Sequence, residues 1–384
     1  MQPDAGGLDL SLGPEWAVLE FLCCAGETAD REPLDALLER EDLDWGDLLE
    51  QALRHQTLPL LAHRVLSGRA AEQLPVYLSD HLSSVLDLNR RRLEVLRQAA
   101  LEIAGALAAA KVPCVATKGI TFESTIYRGQ GTRKLKDVDF MIAPDSRERV
   151  VEIVEGLGYV AGNFDWQNGR VVPHLRRDRM RYLLHPDHLP RYARATGGRL
   201  IRHVYLDFAN SLTWSKSPYQ LPVEVALASA RLQPVPGVDG GSLPCFSPVF
   251  QFVFTALHLF REAWLENWVG LGIDVSLMKF GDVLRLFAHD GDVLRAELGD
   301  TLERHEVVEP VAWVLEHLDR TFGTELIAEL GWVGRIDESW LAAAHPARGR
   351  ERRWTGTMRQ RLFNKDRRQL FVVAGEQAGE GASS

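Results

Sequence analysis

The hydrophobic period of the sequence changes twice along the chain, and these changes restrict the fold more than any other feature. Across residues 16–111, apolar residues recur three and four positions apart, as in amphipathic helices. The pattern breaks at Pro113, where short apolar runs alternate with helical ones, and the helical period returns after Pro222. The sequence therefore predicts an α+β fold, with a small mixed β-sheet between N-terminal and C-terminal helical regions.

The central region is predicted to begin as strand, helix, strand, helix. Residues 112–117 are apolar and partly β-branched, as is typical of a buried strand, and Lys118-Gly119 ends this run. A short helix and a turn-rich connector follow, and residues 137–142 form the second predicted strand. Further strands are predicted at residues 179–184 and 201–209, which would complete the sheet.

These changes divide the 384 residues into four predicted segments. A prior of roughly 100–200 residues per domain also favours more than one packed unit. The tail, residues 375–384, contains only Gly, Ser, Ala, Glu and Gln and is predicted to be disordered. The segments are 1–100, an N-terminal helical region; 101–215, the α/β core; 216–345, a C-terminal helical region; and 346–384, a basic segment and the tail.

The formal net charge of −9 argues against a nucleic acid as partner, because backbone binding depends on many Lys and Arg contacts. Two basic stretches nevertheless occur, at residues 170–202 and 348–368. We expect the first to be a lip facing substrate or a solvated surface; its His185, His188 and His203 match no zinc spacing. The arginines of the second would dock on the acidic body of the protein or bind an acidic partner, and self-docking is favoured.

The compartment is predicted from the cysteines and the first residues. The four cysteines show no metal-ligand spacing and indicate reduced thiols. Residues 1–15 lack the basic and then apolar pattern of a secretory signal, so a cytoplasmic protein is expected. The longest apolar stretch, residues 246–260, contains Pro248, Gln251 and His258 and is too short for a membrane span, so no membrane partner is expected.

A pair of acids in the second predicted strand is the main candidate for chemistry. The strand period of two places Asp137 and Asp139 on one face and Val138 and Phe140 on the other. Two adjacent carboxylates repel each other, and a divalent cation such as Mg²⁺ (or Mn²⁺) relieves that repulsion. The pair alone would more often be an ordinary exposed strand end, so its context decides.

The context upstream is a strand that ends at a lysine and a glycine. Gly119 would let the backbone approach a phosphate at the start of a helix, and Lys118 would add a positive charge. Arg133, in the connector, could hold a phosphate with its planar guanidinium or pair with Asp137; the phosphate role is favoured.

These elements together resemble an uncharacterised nucleotidyltransferase family of the polymerase-beta-type superfamily, whose members are often encoded in bacterial biosynthetic gene clusters. Its pattern is a strand, Lys-Gly, a short helix with Tyr, a connector with Arg and then Asp-x-Asp. The matching residues here are Lys118-Gly119, Tyr127, Arg133 and Asp137-Val-Asp139. The resemblance extends over roughly residues 16–287, which include His258 in the C-terminal helical part.

The resemblance implies a nucleotidyltransferase core and an Mg²⁺-dependent transfer of a nucleotidyl group from ATP or another NTP to a small-molecule or peptide acceptor in a biosynthetic pathway. Lys118, Gly119 and Arg133 would bind the triphosphate. Asp137 and Asp139 would bind the metal, with Asp207 as the third carboxylate or as the base that deprotonates the acceptor.

Two departures bear on this expectation, the first from the wider superfamily and the second from the family's own pattern. Many relatives have Gly-Ser where this chain has Lys118-Gly119, so a serine hydroxyl is missing. The later strand has Tyr205 where an acid is expected, with Asp207 two residues further on the same face. Two alternatives therefore stay open: a non-catalytic protein of the same fold that binds a nucleotide or a partner, and a phosphotransferase or ATP-using ligase. The sequence does not indicate the oligomeric state.

Overall fold

The computed structural model describes residues 10–24, 30–184, 187–344 and 352–373. The chain forms two compact units, one of Leu58–Phe254 and one of the residues on either side of it. Helices and strands are labelled here in chain order. The helices are α1 (Pro14–Cys24), α2 (Glu32–Leu38), α3 (Trp45–Arg54), α4 (Leu58–Leu66), α5 (Val76–Ala109), α6 (Gly119–Ser124), α7 (Arg147–Gly156), α8 (Arg176–Leu184), α9 (Val223–Ala228), α10 (Pro248–Trp264), α11 (Glu266–Gly270), α12 (Leu277–Arg304), α13 (Val308–Phe322), α14 (Leu326–Glu329), α15 (Glu338–Ala342) and α16 (Met358–Phe363).

Two β-sheets occur among the described residues, one of eight strands and one of three. The larger sheet is mixed, with the strand order β4-β3-β5-β6-β2-β1-β8-β7. Within it, β2 lies antiparallel to β1 and parallel to β6. The strands are β1 (Cys114–Thr117), β2 (Val138–Ile142), β3 (Val160–Asp165), β4 (Arg170–Pro173), β5 (Tyr192–Ala195), β6 (His203–Ala209), β7 (Arg231–Pro234), β8 (Ser242–Cys245), β9 (Ala343–Ala344), β10 (Arg352–Trp354) and β11 (Phe371–Val373).

The core of the first unit lies between the long helix α5 and one face of the large sheet. Leu96, Ile103 and Leu107 of α5 belong to the same buried cluster as Phe140 of β2 and Phe208 of β6. The two phenylalanine rings stack with their centroids 5.5 Å apart. Since side chains alternate along a strand, packing this face against α5 leaves the intervening residues of β2 and β6 on the opposite face.

The mixed α/β architecture agrees with the predicted fold class, but two details of the prediction are wrong. Residues 179–184, predicted as a strand, lie in helix α8. The segment from Arg176 to Leu184 consists mainly of Arg, Met and Leu, which favour a helix over a strand. The sheet is also larger than predicted, because β3, β4 and β5 lie between the second and last predicted strands and the hairpin β7–β8 adds two more after Pro222. Each strand of the hairpin has only four residues and contains a proline, which hides the alternating pattern.

The other unit is mainly helical, and its C-terminal segment packs into it. Asp274 is fully buried and accepts hydrogen bonds from the guanidinium groups of Arg361 and Arg367. Arg359 forms a bidentate pair with Glu20 of α1. Self-docking, the favoured expectation for this basic segment, is therefore observed for these three arginines, whereas Arg348 and Arg350 lie outside the described residues, as does the tail. No helix in the described part of the chain is long and apolar enough to cross a membrane.

Candidate active site

The turn after β1 has an unusual backbone conformation at Lys118. Its φ of 50° and ψ of −124° are values that glycine adopts easily and that other residues rarely adopt. The carbonyl oxygen of Lys118 accepts hydrogen bonds from the Phe122 N–H and the Thr121 hydroxyl at the start of α6. A lysine is thus held in a strained conformation, which is typical of functional sites and costs about 1–3 kcal/mol.

The register of the sheet brings two of the predicted carboxylates together. Asp139 of β2 pairs directly with Asp207 of β6, and on its other side Asp139 pairs with Thr117 of β1. Directly paired residues point to the same face, and neighbouring strands lie about 4.7–4.9 Å apart. Asp137 immediately precedes β2 and is half-buried. We call the face that carries Asp139 and Asp207 the carboxylate face.

Burial and mutual repulsion raise the pKa values of Asp137 and Asp139, and a bound cation would lower them again. Burial raises the pKa of Asp139 to about 7. The charges of Lys118 and Arg133 oppose this shift, and those of Asp137 and Asp207 add to it. Burial and the charge of Asp207 likewise raise the pKa of Asp137. The Lys118 ammonium lies 3.8 Å from the Asp139 carboxylate and is the nearest compensating charge.

Two residues that the sequence argument did not place in the site adjoin Asp207. His188 lies with Nδ1 3.4 Å from the Asp207 carboxylate, and Arg191 contributes positive charge. Burial raises the pKa of Asp207, but the hydrogen bond and charge of His188, with the charges of Lys118 and Arg191, more than offset this and lower it. The sequence signal for these two residues is the clustering of His and Arg before β6, which by itself predicts a lip facing substrate or a solvated surface.

The connector that carries Arg133 is fixed by two buried polar side chains. The Glu123 carboxylate accepts hydrogen bonds from the backbone N–H groups of Gly131 and Arg133. The Asn89 amide donates to the carbonyl oxygens of the same two residues, at 2.7 and 2.9 Å. Burial raises the pKa of Glu123 to about 7, although the two backbone hydrogen bonds oppose the shift. In the sequence, Glu123 is distinguished only as the one acid of the short helix α6.

Arg133 lies directly against Gly119. A Cβ atom at position 119 would come within 2.9 Å of Arg133 Nη1 and within 2.7 Å of Leu135 Cδ2. The Arg133 guanidinium also lies over the Phe122 ring, 5.3 Å from its centroid. The space that a serine side chain would need at position 119 is therefore filled by Arg133 and Leu135. The structure thus brings Gly119 and Arg133 together, and Lys118 together with Asp139.

The donor set suits a hard divalent cation. Three carboxylates lie on or beside adjacent strands, and burial together with their mutual repulsion raises the pKa values of Asp137 and Asp139, an effect that a bound Mg²⁺ would oppose. The described residues nevertheless contain no group of three or more His, Cys, Asp or Glu side chains already arranged as a metal site. Binding would therefore require side-chain rotations of these acids.

Three of the remaining candidates, Tyr127, His203 and His258, lie among the described residues. Tyr127 is buried, as expected for a packing residue. His203 stacks on Phe164 with the ring centroids 4.6 Å apart. His185 lies outside the described residues. His258 lies 3.3 Å from Glu262, an acid that also pairs with Lys279.

Comparison with known proteins supplies one match. No curated protein and no solved structure matches the chain at a significant level. The model of a family described as uncharacterised nucleotidyltransferase matches residues 41–323, which include every candidate site residue named above. Because this match covers well over half of the chain, the protein belongs to the uncharacterised nucleotidyltransferase family.

Proposed function

We propose that the protein transfers a nucleotidyl group from ATP or another NTP to a small-molecule or peptide acceptor and releases pyrophosphate. The observation that carries this proposal is the register of β2 and β6, which sets Asp207 beside Asp139 on the carboxylate face, next to Asp137. We further infer that the sheet is a nucleotidyltransferase core of the polymerase-beta type, with a role in a biosynthetic pathway.

Each part of the site has a proposed role. Asp137, Asp139 and Asp207 would hold Mg²⁺, which when bound neutralises charge on the carboxylates and phosphates. Lys118 and Arg133 would bind the triphosphate, one as a point charge and the other through its planar guanidinium. Gly119 would let Arg133 approach the turn. These residues act by positioning and by charge neutralisation, which dominate phosphoryl-transfer catalysis.

Asp207 is the carboxylate best placed to act on the acceptor. Its lowered pKa, set in part by His188, keeps it ionised at neutral pH. It could therefore complete the cation site or accept a proton from an acceptor hydroxyl, phosphate or amine. The negative charge of the whole chain, −9, favours a small acceptor over a nucleic acid.

One observation favours a non-catalytic relative as the second candidate. The Lys118 ammonium already lies 3.8 Å from Asp139 and supplies part of the positive charge that a metal would otherwise bring. A protein with this arrangement could bind a nucleotide through Lys118 and Arg133 without turnover. A phosphotransferase would begin with the same Mg–ATP complex but attack the γ-phosphorus, and an ATP-using ligase would add a second step in which the activated group is transferred.

The test follows the label from the α-phosphate of ATP. The protein is incubated with Mg²⁺, α-phosphate-labelled ATP and a small-molecule extract, with γ-phosphate-labelled ATP in a parallel reaction. Transfer of the α-label with release of pyrophosphate supports nucleotidyl transfer, whereas transfer of the γ-label identifies a phosphotransferase. Nucleotide binding with neither transfer, for any NTP or extract, would favour the non-catalytic alternative.

A further inference from the structure

A continuous row of rings and guanidinium groups adjoins the carboxylate face on the β5–β6 side. The row, which we call the aromatic ledge, consists of Phe164, Trp166, Arg191, Arg202, His203 and Tyr205. His203, Tyr205 and Asp207 are alternate residues of β6, so the ledge shares a face with Asp207 and begins two residues from it.

The rings of the ledge are fixed in place by contacts with one another. His203 lies edge-on to Tyr205 with the centroids 4.5 Å apart, and edge-on to Trp166 at 5.2 Å. The Tyr205 hydroxyl accepts a hydrogen bond from the Phe164 N–H. Despite these contacts, the Trp166 residue is 60% exposed. A rigid indole that leaves so much of its surface in water provides a stacking platform for a planar group.

Two cations lie over these rings. The Arg191 guanidinium lies 5.1 Å from the Tyr205 ring centroid, and the Arg202 guanidinium lies 5.4 Å from that of Phe164. The charge of Arg191 also acts on Asp137 and Asp207, which lie beside the ledge. His203, in contrast, is kept neutral because burial and two nearby arginines lower its pKa. The ledge therefore combines aromatic surface with positive charge at Arg191.

The order of the strands places Arg191 on one side of the carboxylates and the two proposed triphosphate ligands, Lys118 and Arg133, on the other. Reading across the sheet, β5 and β6 come first, then β2 and β1. Arg191 directly precedes β5, whereas Lys118 follows β1 and lies on the far side of Asp139 and Asp207. In phosphoryl transfer, the attacking and leaving oxygens lie on opposite sides of the phosphorus atom. If the triphosphate is bound at Lys118, the acceptor therefore approaches from the β5–β6 side.

We propose that the aromatic ledge binds the acceptor, and that the acceptor is a planar aromatic molecule with an anionic group, a carboxylate or a phosphate. The ring of the acceptor stacks on the exposed indole of Trp166, and its anionic group binds the guanidinium of Arg191. This inference rests on the proposed function for the word acceptor. The ledge itself is a binding site with or without transfer.

The inference is tested by equilibrium dialysis of the full-length protein with 2-naphthoate, which is planar and anionic. Two matched probes each lack one property: 2-naphthamide is planar but neutral, and decahydronaphthalene-2-carboxylate is anionic but not planar. We expect 2-naphthoate to bind about tenfold more tightly than either probe. The neutral probe loses the ionic contact with Arg191 and the non-planar probe loses stacking on Trp166, each at a cost of about 1.4 kcal/mol. Trp166→Ala and Arg191→Gln are each expected to weaken 2-naphthoate binding about tenfold as well.

Two controls match the substituted residues in type and exposure. Tyr77→Ala removes another exposed aromatic side chain, 77% exposed, and Arg149→Gln removes another exposed arginine. Neither should change 2-naphthoate binding. Absence of 2-naphthoate binding to the parent protein overturns the inference, as does binding that both Trp166→Ala and Arg191→Gln leave intact.

The same variants separate failure of this inference from failure of the proposed function. We expect Trp166→Ala to bind Mg–ATP as the parent protein does. If Trp166→Ala weakens Mg–ATP binding, the ledge stacks the base of the nucleotide, and its assignment to the acceptor is wrong. If the parent protein binds 2-naphthoate at Trp166 but no NTP, the proposed function fails while the ledge remains a site for a planar anion.

Discussion

The carboxylate of Glu123 accepts a hydrogen bond from the backbone N–H of Arg133 at 2.9 Å. Glu123 is fully buried in the first unit, and its other oxygen accepts from Gly131. An acid that binds two N–H groups of one turn fixes the backbone from which the Arg133 side chain departs. We infer that Glu123 positions Arg133 for the triphosphate without contacting the nucleotide.

A double-mutant cycle tests this positioning role. Glu123→Gln keeps the shape of the side chain but sets an amide NH₂ against one of the two N–H groups, so the turn should shift. We expect Mg–ATP affinity to fall about tenfold in Glu123→Gln and in Arg133→Ala, and to fall no further in the double variant. Calorimetry measures all four proteins. Losses that add in the double variant would show that Glu123 does not act through Arg133.

The same residue predicts a pH dependence of stability. The pKa of Glu123 in the folded protein, about 7, lies above its ordinary value of 4.5. The folded state therefore binds this proton more tightly, and the resulting stabilisation is complete below pH 4.5 and is lost as the pH rises through about 7. It amounts to at most about 3 kcal/mol.

Glu123→Gln should remove this contribution. Unfolding midpoints of the variant and the parent protein are measured from about pH 5 to about pH 8, because Glu123 of the folded protein loses its proton within this range. The difference between the two midpoints is expected to change as the pH rises. The parent protein should lose more stability than the variant as the pH rises. A difference that is constant with pH would contradict the raised pKa.

A side chain at position 119 is predicted to displace Arg133 and so weaken Mg–ATP binding. In Gly119→Ala the new Cβ would meet Leu135, which is buried, and the guanidinium of Arg133. The arginine must move, so Mg–ATP affinity should fall about tenfold. The matched control is Gly105→Ala on the exposed side of α5, where a Cβ would meet no atom within 4 Å. That substitution should raise helix stability by about 0.5–1 kcal/mol and leave Mg–ATP affinity unchanged. Equal effects of the two substitutions on affinity would refute the packing argument.

Lys118 is predicted to trade stability for binding. Lys118→Gly relieves the strained backbone and should raise the free energy of unfolding by about 1 kcal/mol, while loss of the ammonium weakens triphosphate binding. Lys118→Ala loses the same charge but keeps the strain, so it should bind as weakly without the gain in stability. Thermal unfolding and binding of inorganic triphosphate measure the two effects. Tight triphosphate binding by both variants would exclude Lys118 from the site.

The alternation of β2 and the lysine–glycine turn were predictable because they depend on residues close together in sequence. The strand period alone predicts that Asp139 and Phe140 lie on opposite faces of the sheet, and the structure has this arrangement. The pairing of Asp139 with Asp207 was not predictable, because register between strands separated by about sixty residues depends on packing of the whole sheet. The connector was beyond prediction for the same reason, since Asn89 reaches it from α5, more than forty positions away.

The hairpin β7–β8 and helix α8 show where local patterns mislead. In β8, Pro244 occupies a strand that pairs with both β1 and β7, and a four-residue strand with a proline has no detectable period. In α8 the helical propensity of Arg, Met and Leu was the better guide than the apolar run at its end. The ledge was missed because its six residues come from three separate stretches of the chain.

The central claim, that Asp137, Asp139 and Asp207 hold a divalent cation together with a nucleotide, is tested most directly by calorimetric titration of the protein with ATP, with and without Mg²⁺. The same titrations are made for Asp137→Asn, Asp139→Asn and Asp207→Asn, with Asp87→Asn, an exposed aspartate of α5, as the control. We predict Mg²⁺-dependent binding to the parent protein and to the control, and a loss of at least about tenfold in each site variant. Binding that is independent of Mg²⁺, or that survives all three site substitutions, would contradict the claim.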